Sequence, residues 1–153
     1  MTIGTICKRD VVATGRTESV VDAARLMRKH HVGSLVIVEN NAQGCKVPVG
    51  IITDRDITVS VTALGLDPAT ITVNEIMVDS VVCIHENAGI AETVALMRTK
   101  GVRRLPVVND SGALTGVISA DDLLSLLADE LTGLADSTTR ERRHEQETRR
   151  SGV

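Results

Sequence analysis

Gly50-Ile51-Ile52-Thr53-Asp54-Arg55-Asp56-Ile57 returns sixty-six positions later as Gly116-Val117-Ile118-Ser119-Ala120-Asp121-Asp122-Leu123. Upstream of each copy the match continues at an offset of seventy, with Ile6/Ile76, Val11/Val81, Val12/Val82, Leu26/Leu96, Met27/Met97, Arg28/Arg98, Val32/Val102, Leu35/Leu105 and Val38/Val108 identical. The change of offset falls in a loop that is four residues shorter in the second copy. A repeat of this length implies two equivalent structural units packed on each other, each too small to bury a large core alone. It also implies two equivalent sites.

Each copy reads as strand, helix, strand, strand, helix. In the first, Val11–Thr14 is a short β-branched strand, and Ser19-Val20-Val21-Asp22 has the form of a capping box opening a helix to about His31. Val20, Ala23, Ala24, Met27 and His31 then share one helical face. Leu35–Glu39 and Val47–Thr53 flank a turn-rich loop and predict a hairpin. A second helix is expected from about Asp54, with Ile57, Val61 and Leu64 inward. The second copy offers Gly89 as a cap, Ile90, Val94 and Met97 as the apolar stripe, and Arg104–Val108 with Leu114–Ser119 as the hairpin. Its last helix starts near Ala120 and carries Leu123, Leu124, Leu127 and Leu131. The boundaries expected are 1–70 for the first repeat with its linker, 71–135 for the second, and 136–153 for a tail. From Ser137 onward the chain has five Arg, three Glu and no apolar residue before Val153, which predicts a solvated, disordered segment that Glu145/Arg149 spacing supports only as a frayed helix.

Composition removes several function classes. The 153 residues carry a formal charge of −3, with no concentrated basic footprint for duplex nucleic acid. Phe, Tyr and Trp are wholly absent, so the aromatic platforms that grip single strands are missing too. No leader pattern opens the sequence and no apolar run approaches the ~18 residues of a membrane span, so a soluble, cytoplasmic protein is expected. Three cysteines without CxxC spacing predict neither a disulfide framework nor a zinc cage.

The strand-to-helix junctions are the places where chemistry is expected. Both have the form apolar-Gly-apolar-apolar-(Thr/Ser)-x-x-Asp, placing Thr53 with Asp56 and Ser119 with Asp122. A helix start offers N–H groups to an anion. A hydroxyl there reaches a phosphate oxygen or its own backbone, and a carboxylate three residues on can accept both vicinal hydroxyls of a ribose. The same pattern is also an ordinary capping box.

The Leu-Met-Arg helix, then Gly101-Val102-Arg103-Arg104-Leu105-Pro106-Val107-Val108, then Gly116 to Leu123 resemble a CBS (cystathionine β-synthase type) domain, and residues 6–64 resemble another. Thr53-Asp54-Arg55-Asp56-Ile57 and Gly65-Leu66-Asp67-Pro68 resemble stand-alone bacterial CBS pairs of the hypoxic-response type, which points to a bacterial stress response. The resemblance implies a mixed α/β fold of two pseudo-symmetric βαββα repeats packed through their sheets, with two clefts between them. It implies ligands such as AMP, ADP, ATP, S-adenosylmethionine or NAD, with none obligatory. Carried over by position, Asp56 and Asp122 would hold ribose, Thr53 and Ser119 would contact phosphate or ribose, and Arg103, Arg104 and Arg55 would complete the nucleotide-binding set. The first-repeat equivalent of Arg103-Arg104 is Gly33-Ser34, so the two clefts differ in charge.

No phosphate loop, nucleophile elbow, Cys/His pair or metal set argues for catalysis. The function expected is a regulatory sensor of adenosine derivatives that acts through an unknown effector protein. A non-catalytic dimeric scaffold with empty clefts is the alternative. A homodimer through helices is expected in either case, with the faces around Val20/Met27 and Ile90/Met97 as its interface.

Overall fold

The computed structural model describes residues 1–150, which divide into two compact units, one of Met1–Ile118 and one opening at Ser119. The first unit holds both repeats' sheets. In chain order its elements are α1 (Ile3–Ile6), β1 (Ala13–Thr14), α2 (Val20–His30), β2 (Ser34–Asn40), β3 (Lys46–Thr53), α3 (Asp54–Ile57), α4 (Val73–Ile76), β4 (Ile84–His85), α5 (Ile90–Lys100), β5 (Arg104–Val108) and β6 (Leu114–Ser119). The sheets run β1-β2-β3 and β4-β5-β6. The repeat holds to the residue: Thr14 pairs with Ile37 in parallel register, and seventy positions on Ile84 pairs with Val107 in the same way. The mixed α/β class expected from the sequence is the one observed.

Helix α2 forms where the sequence places it. The Ser19 hydroxyl accepts the Asp22 N–H at 3.2 Å and donates to Asp22 Oδ2 at 2.8 Å. Arg28, Lys29 and His30 sit in the last turn, where cations favour the helix dipole. The helix ends on His31 in the left-handed region at φ 54°, where the second copy has Gly101 at φ 66°. Val20, Ala23 and Met27 are buried, and Ala23 and Met27 join Leu35, Ile37, Ile52, Val73 and Met77 in one core. The expected dimer face of Val20 and Met27 is therefore already covered within the chain, as is Met97 in α5.

Three further expectations change. In α5 Thr93 is buried beside Met97, its hydroxyl donating to Gly89 O at 2.8 Å, while Val94 is exposed. A threonine is tolerated there because its one polar group bonds back to the preceding turn. After α3 the backbone widens into a π-helical turn over Thr58–Thr62, so the phase slips: Val61 is buried but Leu64 is 67% exposed. In the second unit, helix α6 runs Ala120–Arg150, so the segment expected to be a disordered tail continues the helix. It is solvated, every described residue from 137 on being exposed, but Arg, Glu and Gln are good helix formers. Thr138, Thr139 and Thr148 also bond to carbonyls four residues back. Leu123 is buried, whereas Leu124, Leu127 and Leu131 are exposed.

Each repeat's short first helix docks on the other repeat. The Ile3 and Gly4 N–H groups donate to Ala88 O and Glu86 O, and Lys8 exchanges two 2.9 Å backbone bonds with Val117. Reciprocally, the Val73 and Asn74 N–H groups donate to Glu18 O and Arg16 O, and the Val78 N–H reaches Ile51 O at 3.2 Å. The arms of the two repeats thus interlock.

Candidate functional site

This interlock carries residues 78–82 across the end of β3 and creates a cavity of about 410 Å³ inside the first unit. The first repeat lines it with Ile51, Thr53, Arg55 and Asp56; the second contributes Val78, Ser80, Val81, Val82 and Gly101 through Arg104. Thr53 ends β3, Arg55 and Asp56 lie on α3, and Arg103-Arg104 open β5. Arg16 braces the wall: its guanidinium pairs with Glu39 and donates to Asn74 Oδ1 at 2.8 Å and Asp79 Oδ1 at 3.1 Å, which ties down the segment leading to Ser80.

At the heart of the site is a reciprocal cap. Asp56 Oδ2 accepts both the Thr53 N–H and the Thr53 hydroxyl at 2.8 Å, and the Asp56 N–H donates to Thr53 Oγ1 at 3.1 Å. The helix start has few donors left. The Asp54 N–H goes to Gly33 O at 3.0 Å and the Arg55 N–H to Asp54 Oδ1 at 2.8 Å. The sequence expectation that the amides of this helix start receive an anion is thus not met: α3 is four residues long, its first three amides are committed, and the carboxylates of Asp54 and Asp56 already neutralise the positive end of its dipole. The Thr53 hydroxyl proton is committed too, which leaves that oxygen an acceptor. Asp56 Oδ1 takes no bond among the described residues and is the oxygen able to receive a sugar hydroxyl.

Of the seven residues singled out from sequence, Thr53, Arg55, Asp56, Arg103 and Arg104 line this one cavity. Ser119 and Asp122 belong to the second unit, where they make the matching cap at the start of α6: Asp122 Oδ2 accepts the Ser119 N–H at 3.0 Å, and the Asp122 N–H donates to Ser119 Oγ at 3.1 Å. Ile51, Val78 and Ser80 were missed. The recurrence of Val11-Val12 as Val81-Val82 marked their segment, but no local pattern says that it lies against Thr53. Among the described residues no group of three His, Cys, Asp or Glu gathers to hold a metal ion.

Comparison with known proteins supplies the family. The CBS domain model matches residues 3–62 and again 73–129. The chain belongs to the CBS domain family. It carries two CBS domains, and the cavity lies where both contribute walls. Hypoxic response protein 1 of Mycobacterium tuberculosis is 35% identical over 118 residues, 77% of this chain and 79% of that protein. An uncharacterized protein of Methanopyrus kandleri, MK0525, is 37% identical over 126 residues, 82% of this chain, but the match spans only 62% of its length. Among solved structures, the CBS domain pair of protein MJ0100 in complex with 5′-methylthioadenosine and S-adenosyl-L-methionine superposes with a TM-score of 0.70 at 26% identity, covering 83% of this chain and 99% of that one. Among the described residues no helix is long and apolar enough to cross a membrane.

Proposed function

We propose that this CBS pair is a regulatory module that binds an adenosine derivative in the cavity between its repeats and passes the resulting change in stability or shape to an effector protein. The observation that carries this is the convergence, from two repeats, of one ribose-competent carboxylate, Asp56, with three guanidinium groups around about 410 Å³, a volume suited to a small ligand. The MJ0100 pair supports the reading through its adenosine ligands. The module acts by binding: the hydroxyl and carboxylate that meet in the cavity, Thr53 and Asp56, bond to each other as a helix cap. The candidate ligands are AMP, ADP, ATP, S-adenosylmethionine and NAD, with Thr53, Arg55, Asp56, Arg103 and Arg104 as the contact set; Ser119 and Asp122 are the repeat-equivalent candidates. The test is calorimetric melting with each ligand at a hundredfold excess over its dissociation constant, where binding to the folded state adds about 2.7 kcal/mol. A rise that Asp56→Ala abolishes is expected, and no rise with any of the five refutes the role.

A second reading, an interaction module, is favoured by one feature. Leu124, Leu127, Leu131 and Leu134 are exposed on α6 at spacings of three and four, the stripe of a coiled-coil seam. This face replaces Val20/Met27 as the proposed homodimer surface. Light scattering of Leu131→Glu separates the readings: loss of a dimer with ligand response intact leaves the sensor standing alone.

A further inference from the structure

Away from the cavity between the repeats, the first unit holds a second cleft, of about 510 Å³, where the end of β1 meets the exposed face of α2. Thr14 and Gly15 line it from the strand, and Glu18, Asp22, Arg25 and Lys29 line it from the helix and its approach.

Three features set this cleft apart from an ordinary solvated helix face. Thr14 is only 8% exposed, yet its hydroxyl has no hydrogen-bond partner among the described residues. Among those residues no unpartnered side-chain oxygen or nitrogen is sealed from solvent, so this hydroxyl opens onto the cleft that Thr14 lines. A hydroxyl so placed ordinarily finds a protein partner. Gly15 leaves room beside it, since a Cβ there would meet nothing within 4 Å. The charges, finally, are sorted along the helix. Asp22, Arg25 and Lys29 follow at spacings of three and four on one face, with Glu18 four residues ahead of Asp22. Asp22 and Arg25 pair at 2.8 Å and offset each other. Glu18 and Lys29 make no ion pair among the described residues. The cleft therefore presents a carboxylate at one end and an ammonium at the other, and Asp22 to Lys29 alone spans about 10 Å.

Seventy positions on, Thr14, Gly15, Glu18, Arg25 and Lys29 become Ile84, His85, Ala88, Ala95 and Thr99. The fold thus accepts an apolar residue in place of Thr14, a side chain in place of Gly15, and no charge at the other three positions. Folding does not ask for this polar set.

We propose that the cleft binds a small zwitterion, a free amino acid or a di- or tripeptide, with its ammonium at Glu18, its carboxylate at Lys29 and a polar group of its body on the Thr14 hydroxyl. A hydroxyl both donates and accepts, so it serves an amide or a carboxylate alike. Ala13 and Leu26 complete the lining and suit a small aliphatic body. The cleft shares no lining residue with the cavity between the repeats, so the two sites are independent.

The test is proton–nitrogen correlation NMR of the full chain, titrated to ~20 mM, enough to saturate a millimolar site, with alanine and trialanine and with each of them acetylated at the amine or amidated at the carboxyl. Saturable shifts centred on residues 13–15 and 22–29 are expected, and the tighter of the two free compounds identifies amino acid or peptide as the ligand. Each blocked form, lacking one charge, is expected to bind about two- to fivefold more weakly than its parent, the worth of one exposed ion pair. Glu18→Gln should erase the penalty of acetylation and keep that of amidation, and Lys29→Gln should do the reverse. Thr14→Val should weaken binding about two- to tenfold through the lost hydrogen bond. Gly15→Leu, whose Cβ meets no neighbour, should fill the cleft and abolish the shifts. If a variant fails to fold, the comparison of free and blocked compounds on the unaltered protein still decides. Equal binding of free and blocked forms, shifts confined to the cavity between the repeats, or no saturable shift with any compound overturns the assignment, and each leaves the adenosine-binding role untouched.

Discussion

Gly116→Ala should loosen the interlock between the repeats. A Cβ at this position would lie 2.5 Å from Cys7 Sγ and 3.0 Å from Lys8 O, the first contact impossible and the second tight against backbone. The arm must therefore move away from β6. That move weakens the two 2.9 Å bonds exchanged by Lys8 and Val117, each worth about 0.5–1.5 kcal/mol net. It also strains the packing, at about 1–3 kcal/mol for an added methyl group in a filled space. If both bonds are lost the total is about 2–6 kcal/mol, or roughly 4–24 °C in melting temperature for a chain of this size. The thiol makes the worst clash, so Cys7→Ala in the Gly116→Ala background should recover about half of the loss, while Cys7→Ala alone should destabilise mildly. Urea unfolding of the four proteins supplies the double-mutant cycle. Neutrality of Gly116→Ala, or strict additivity with Cys7→Ala, would refute the interlock as drawn.

Other outcomes follow from single residues. His31→Gly should stabilise the protein by about 0.5–1 kcal/mol, because the position sits at φ 54° and the second copy already uses glycine there; chemical denaturation checks it. Acid should weaken the fold through two carboxylates. The backbone N–H and then the hydroxyl of Thr72 hold Glu75 below its ordinary 4.5, and the Ser19 hydroxyl and then Arg25 hold Asp22 below 3.8. Both folded-state values are depressed, so their stabilisation is fully present above the ordinary values and is lost as pH falls through them toward the folded ones. Glu75→Gln should flatten part of the decline in urea midpoint between pH 5 and 3, and an unchanged slope would contradict the assignment.

Much of the fold was legible because identical side chains recur at a fixed offset, and the hairpin strands carry their own period. β5 and β6 fall where β-branched runs place them, and Gly89 and Ser19 cap as their residue types suggest. What escaped depends on contacts that leave no periodic trace. The π-helical turn after Ile57 shifted Leu64 outward. Thr93 displaced Val94 from the interior because a hydroxyl can bond to its own helix. An apolar stripe such as Val20/Met27 serves a core and a subunit interface equally well in sequence, and only the packing against Leu35 and Ile52 decides between them. At the site, Thr53-x-x-Asp56 was visible as a pair, but the hydrogen bonds that commit its donors, and the arrival of Ser80 and Val78 opposite, depend on backbone bonds between residues far apart in the chain.

The most direct measurement is hydrogen–deuterium exchange of the full chain with and without saturating ATP. Ligand in the cavity should slow exchange in the peptides spanning 51–56, 78–82 and 101–104 together, with Asp56→Ala removing the effect. No protection in any of the three, or protection confined to α6, would contradict a nucleotide site between the repeats.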